Sequence, residues 1–219
     1  MTGTAHEGGS DKSVDGRVLV FPSTSPKDLR VKVYDPLRGV PVAELKVRKS
    51  YATGKHVVIT HYHIDHSGNA EEIRKISKAK IYAHENEVPY LSKNEQKFNL
   101  KYDVKDELKV SEEDFERTMK RINSMKFSPV TVDVKLKGGE EIGNFKVINV
   151  QGHTPGHIAL YDGNLLIAGD AVRNIKGKIS PPFKFFCWDY EKTVNSFNNL
   201  LSMKFKYLVP FHGDIIFFY

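Results

Sequence analysis

Val57-Val58-Ile59-Thr60 leads directly into His61-Tyr62-His63-Ile64-Asp65-His66. The first four residues form a short, β-branched run of the kind that fills a buried strand. The histidines therefore fall on the loop at that strand's C-terminal end, where a rigid sheet can display functional groups. Three imidazoles and a carboxylate within six residues exceed what an ordinary core needs. Two histidines one residue apart on an extended segment can both turn inward onto one cation. Asp65 and His66, further along the loop, can reach a second cation nearby. Imidazole nitrogen and carboxylate oxygen suit Zn²⁺, Mn²⁺ and Fe²⁺ alike, so this pattern leaves the metal open.

Toward the N-terminus, 17–21 and 31–34 read as two strands of a hairpin. Pro41, with Val42 and Leu45 behind it and Thr53-Gly54 as a stop, predicts a helix over 41–52. Toward the C-terminus, Asn69 is the expected cap of a helix from Ala70 to Ala79, followed by a strand at Ile81-Tyr82-Ala83. The polar stretch 89–108 reads as an insertion, and Ser111 to Asp114 as a capping box opening a helix to about Lys126. Val130, Val132, Val134 and Leu136 then alternate with polar residues, and Phe145, Val147 and Val150 follow a turn at Gly138-Gly139. A hairpin is expected around Asp162-Gly163-Asn164, joining Ile158–Tyr161 to Leu165–Ala168. Asp189 caps a predicted helix from Tyr190 to Met203 with Val194, Phe197, Leu200 and Leu201 on one face, and the strand Tyr207-Leu208-Val209 delivers His212. Strand block, helix, strand block, helix predicts an α+β fold of two packed sheets with helices outside.

The 219 residues fit a Gly- and Ser-rich flexible N-terminus over 1–13 and a single domain over 14–219. No run approaches the roughly 18 apolar residues of a membrane span, and Met1 to Ser13 lacks the basic and apolar regions of a signal peptide. The expectation is a cytoplasmic protein with no membrane partner. Cys187 is the sole cysteine, so an intrachain disulfide is excluded and any metal must use His and carboxylate. The net charge of +6 comes from basic residues interspersed with acidic ones, as in Glu71-Glu72-Ile73-Arg74-Lys75, which reads as solvated helix faces rather than a nucleic-acid footprint.

Three later segments complete the pattern: Gly152-His153-Thr154-Pro155-Gly156-His157, Ala168-Gly169-Asp170 and Phe211-His212-Gly213. Together with 61–66, in this order, they resemble the motifs of the metallo-β-lactamase superfamily, over about residues 56 to 213. The resemblance implies a four-layered αββα sandwich with its site at one edge of the two sheets. It also implies that His61, His63 and His153 hold one metal, that Asp65, His66 and His212 hold a second, and that Asp170 bridges them. The cofactors implied are two divalent metal ions, zinc in first place, with iron or manganese as alternatives. Aspartate at 170 is similar to the two-metal hydrolase branches and unlike those that hydrolyse β-lactams. Two cations about 3.5–4 Å apart would share a hydroxide nucleophile. Asp65 would be the catalytic residue that orients it.

On this resemblance the expected partner is a small-molecule substrate: a thioester, ester or lactone. Phosphodiester cleavage on nucleic acid is the first alternative, weakened because only seven residues follow His212, leaving no room for the accessory regions such members carry. Mononuclear iron persulfide dioxygenase chemistry through His61, His153 and Asp170 is the second. The chain departs from the family in having Asp35-Pro36-Leu37-Arg38-Gly39 where Asp-Thr-Gly is usual, and Arg173 where similar lactonases place tyrosine. It also lacks the helical extension after His212 found in glyoxalase II. His6 and His56 are expected to have no role in the site, and His84 and His157 to pack or support. Cys187 reads as a packed thiol, and Phe183–Trp188 as core before pocket wall. Arg173 and Lys184 face solvent or an anionic substrate group.

Overall fold

The computed structural model describes residues 19–20, 29–34, 41–47, 56–93, 107, 110–124 and 128–218. The expected flexible segment 1–13, the departure at Asp35-Pro36 and most of the insertion at 89–108 lie outside the described residues. Thirteen strands are described: β1 Leu19–Val20, β2 Leu29–Tyr34, β3 Pro41–Val47, β4 His56–Ile59, β5 Lys80–His84, β6 Val134–Leu136, β7 Glu141–Ile142, β8 Phe145–Asn149, β9 Ile158–Tyr161, β10 Leu165–Ile175, β11 Lys178–Ser180, β12 Tyr207–Gly213 and β13 Ile216–Phe217. The α-helices are α1 Ile64–Ser67, α2 Ala70–Ser77, α3 Val88–Leu91, α4 Glu112–Ser124 and α5 Tyr190–Leu201. One sheet has the order β1-β4-β5-β6, and a second runs β13-β12-β10-β9-β8-β7 with β11 on β10. A two-stranded β2-β3 sheet stands apart from both.

Alternation along the strands creates the layers. Val58 and Leu136 of the first sheet pack with Val147, Ile158, Leu160, Ile167 and Phe211 of the second, forming the core between the sheets. On the opposite side of the first sheet, Val57, Ile59, Ile81 and Ala83 meet Ala70 and Ile73 of α2. Leu166, Ala168 and Leu208 on the outer side of the second sheet meet Leu200 and Phe197 of α5. The four layers are thus α2, sheet, sheet, α5, as the resemblance implied. Burial on both sides explains why 57–59 carries no polar residue: each fully buried side chain of this size contributes about 1.5–3 kcal/mol, and solvent reaches neither face. Parallel pairs need a crossover connection, and the two pairs that position the site have one: β4 pairs β5 across α2, and β10 pairs β12 across α5.

Three local expectations are corrected. Residues 41–47 form strand β3 rather than a helix, with Ala43, Leu45 and Val47 in register opposite Val33, Val31 and Leu29. The period of two was present in the sequence, and Pro41 is tolerated because it begins the strand. The predicted hairpin of 17–21 with 31–34 does not form: β1 pairs antiparallel with β4 and β2 with β3. The strand bearing Asp170 does not end there; it continues to Ile175 after register shifts on either side of Gly169.

Capping varies between the helices. Asn69 occupies the cap position of α2 without a side-chain hydrogen bond. Before α4, the Ser111 hydroxyl accepts from the Asp114 amide at 3.1 Å. Asp189 Oδ1 accepts from the Lys192 amide at 3.1 Å, and the Asp189 amide donates to Gly152 O at 2.8 Å, tying the start of α5 to the turn that carries His153. Asp189→Ala is expected to cost about 1 kcal/mol in urea denaturation. The Lys192 amide lowers the Asp189 pKa. Since the folded pKa is the depressed one, the charge-dependent part of this stabilisation is complete above the unfolded value near 3.9 and is lost as pH falls through the folded one. The gap between wild type and variant should therefore narrow in acid.

Candidate metal centre

Each segment that follows or interrupts a strand contributes part of one cluster. His61 and His63 leave the end of β4, whose Thr60 carbonyl accepts from the Ile158 amide at 3.0 Å and so fixes the loop to β9. The chain then turns into α1, where the amides of His66 and Ser67 both donate to the His63 carbonyl at 3.0 and 2.9 Å. This turn carries Asp65 and His66 back toward His61. His153 sits on the β8–β9 turn, its carbonyl accepting from the Trp188 amide at 3.0 Å. Asp170 follows Gly169, whose φ of +56° is the left-handed backbone that glycine allows. His212 lies within β12, in register with Arg173 of β10.

All seven residues predicted from the sequence come together, in two groups. The ligand atoms of His61, His63, His153 and Asp170 lie within 4.8 Å of one another, as do those of Asp65, His66 and His212. Asp170 stands between the groups. Its Oδ2 is 3.0 Å from His212 Nε2, 3.5 Å from His153 Nε2 and 3.7 Å from His61 Nε2, while Oδ1 is 3.3 Å from His66 Nε2. Asp65 Oδ2 is 3.1 Å from His66 Nε2 and 3.6 Å from His212 Nε2.

The protonation states match a cation-binding cluster. Burial pushes His61 and His153 well below the ordinary imidazole value, and the neighbouring histidines lower them further. Burial likewise brings His63 down to about 4, against the pull of Asp65 and Asp170. At Asp65 and Asp170 burial acts upward but is outweighed by the facing imidazoles, so both carboxyls stay well below the usual carboxylate range. His66 is the exception: although burial opposes its charge, Asp170 and Asp65 raise it to about 9. A cation there would compete with that proton. His61 Nε2 is buried without a hydrogen-bond partner, an arrangement costly in a structural core and suited to coordination. Neutral imidazole nitrogens and ionised carboxylate oxygens fit divalent zinc, iron or manganese.

The surrounding residues fall into place by contact. His157, fully buried, accepts from the Asp170 amide through Nε2 at 3.3 Å and packs its ring against His61 at a centroid distance of 4.7 Å. His84 accepts from the Asn86 amide at 3.1 Å, and His56 meets the Tyr82 hydroxyl at 2.9 Å; neither belongs to a ligand group. Cys187 is buried, its thiol donating to Phe183 O at 3.2 Å, and burial pushes its pKa up to about 12. The aromatic run divides: Phe185 is buried, whereas Trp188 is exposed. Arg173 donates through Nε to Ser180 Oγ and Pro181 O, and its guanidinium lies 3.5 Å from the centre of the Phe183 ring. It is half-buried and braced rather than free in solvent.

One residue of this neighbourhood is not apparent from sequence. Glu87, fully buried, accepts from the Tyr62 amide at 2.6 Å and the Gly156 amide at 2.5 Å. In Glu85-Asn86-Glu87 it looks like a surface charge, and its partners are backbone amides, which carry no residue-specific signal.

Comparisons with known proteins identify the family. A family model described as the metallo-beta-lactamase superfamily matches residues 30–212. The probable metallo-hydrolase YflN of Bacillus subtilis (strain 168) is 30% identical over 203 residues, covering 80% of this chain and 70% of that protein. A hydroxyacylglutathione hydrolase of Methylobacillus flagellatus is 25% identical over 140 residues, and there the match spans 64% of this chain but only 42% of the relative. Among solved structures, TTHA1623 in a di-iron-bound form shares the fold at a TM-score of 0.52 and 22% identity, over 75% of this chain and 72% of that one. With the family model extending from β2 to His212 and the four-layered fold on the same residues, the chain belongs to the metallo-beta-lactamase superfamily.

Proposed function

We propose that this metallo-hydrolase uses two divalent cations, zinc in first place, to hydrolyse a small thioester, ester or lactone. The carrying observation is the position of Asp170, whose single carboxylate faces imidazoles of both ligand groups. In this reading His61, His63 and His153 hold one cation, Asp65, His66 and His212 the other, and Asp170 is shared. The hydroxyacylglutathione hydrolases among the relatives act, by their name, on an acylated thiol, which supports the acyl substrate class.

Cations in these positions supply Lewis-acid polarisation of the scissile carbonyl and acidification of water. The chain's own residues do the rest. In this reading Asp65, 19% exposed and held well below the usual carboxylate range, would accept a hydrogen bond from the attacking water and so aim it. His212, 33% exposed, marks the open side from which substrate approaches, whereas His61 and His153 form the closed floor. The lowered pKa values of His61, His63 and His153 keep these imidazoles unprotonated at neutral pH.

The test pairs metal content per chain with turnover of a panel of thioesters, lactones and phosphodiesters by the same preparation. Two ions and acyl hydrolysis are expected. One iron per chain with oxygen uptake on a persulfide, or turnover confined to phosphodiesters, would sink the reading. Asp65→Ala and His63→Ala should each abolish turnover while leaving far-UV circular dichroism unchanged; normal activity in either would overturn the site assignment.

A further inference from the structure

Glu87 ends a 3-10 turn, Glu85–Glu87, between β5 and α3 and contributes no ligand atom to either group. Its two carboxylate oxygens bind separate segments. Oε2 accepts from the amide of Tyr62, the residue between His61 and His63, and Oε1 from the amide of Gly156, three residues after His153. Tyr62 is further held by the Ser67 hydroxyl on its carbonyl at 2.9 Å and by its ring stacked on Tyr90 at a centroid distance of 4.4 Å. On the other segment, a Cβ at Gly156 would lie 2.7 Å from His84 Nδ1 and 3.0 Å from Glu87 Oε1, so the turn approaches the carboxylate as closely as a residue without a side chain can. Burial pushes the Glu87 carboxyl up to about 7, against the lowering effect of the Thr154 hydroxyl and the two amides. Keeping a carboxylate in such a place has a cost that an apolar residue would avoid.

We propose that Glu87 is a positioning residue: by clamping the Tyr62 and Gly156 amides together it sets the distance between the His61/His63 loop and the His153 turn, and thereby the affinity of the first cation group. This rests on the metal-centre reading above. Both oxygens must be acceptors, because both partners are N–H donors. Glutamine keeps the shape but presents an NH₂ to one of the amides, and aspartate keeps the charge but is one methylene too short to reach both. Partners that orient ligands without touching the metal typically account for about 10- to 100-fold in metal affinity.

The experiment measures zinc affinity of the full chain by competition with a chromophoric chelator, alongside urea denaturation of the metal-free protein. Glu87→Gln is expected to bind zinc at least about 10-fold more weakly than wild type while its metal-free form still unfolds cooperatively. Glu87→Asp should fall between the two. Glu85→Gln, on the same turn but away from the cluster, should bind as wild type does. Wild-type affinity in a folded Glu87→Gln protein overturns the proposal. Should that variant fail to fold, Glu87→Asp decides: wild-type affinity there overturns it equally. A wild-type chain that itself captures no zinc, iron or manganese would instead overturn the metal-centre reading.

Discussion

Asp170→Asn is expected to leave a protein that folds, binds fewer than two metal ions per chain and has lost about three orders of magnitude in turnover. The substitution preserves volume and removes one negative charge from a point faced by the Nε2 atoms of His61, His66, His153 and His212. Charge stabilisation by a bound cation is worth several kcal/mol, and each 1.36 kcal/mol is tenfold in rate, so about 10³-fold follows if one ion is lost or displaced. The affinity loss should fall on both ligand groups, because the carboxylate faces both. Metal analysis after dialysis, with turnover at saturating added zinc, separates weakened binding from impaired chemistry. Two tightly held ions with wild-type turnover would remove Asp170 from its assigned position.

Gly169→Ala should weaken the fold itself. At φ +56° an alanine pays about 1 kcal/mol in backbone strain. Its Cβ would also lie 2.6 Å from His157 Nε2 and 3.3 Å from Thr60 Cβ, all within packed interior. Overpacking of this kind costs about 1–3 kcal/mol, giving roughly 2–4 kcal/mol in total. For a chain of this size that corresponds to a melting temperature lower by about 5–15 °C. The loss should appear in metal-free protein as well, which distinguishes it from a metal-affinity effect. Because His157 Nε2 accepts from the Asp170 amide, relief of the clash should also shift the carboxylate that faces both ligand groups.

The two substitutions act on neighbouring residues, and they differ in how well the sequence announced them. Asp170 was legible because three motifs elsewhere in the chain supplied its context, and its chemistry has few purely structural explanations. The irregularity at Gly169 was not, since the apolar run Leu165–Ala168 says nothing of how the strand resumes beyond it. Helix α5 was legible from Asp189 and the apolar spacing of Val194, Phe197 and Leu200. Strand β3 was misread because Pro41, Val42 and Leu45 satisfy a helical spacing while Ala43, Leu45 and Val47 satisfy an extended one, and only pairing with β2 decides between them. The partner of β1 is similarly a tertiary matter: local sequence could suggest a strand, but Leu19 and Val20 take their register from Val58 and Val57, nearly forty residues away. Glu87 marks the limit of such reading, because the backbone amides of Tyr62 and Gly156 that it binds leave no trace in those residues' identities.

The parallel pairing of β10 with β12 across α5 has a bearing on how the protein comes into being. Asp170 and His212 are neighbours only through that pairing, while His61 to His66 belong to the other sheet. A ribosome releases the chain from its N-terminal end, so the first histidines have emerged long before the segment Tyr207–Gly213. During that interval the nascent protein holds every residue of the first ligand group, but Asp65 and His66 of the second lack His212. Retention of a second cation would therefore await β12, and its capture would report that synthesis has passed His212.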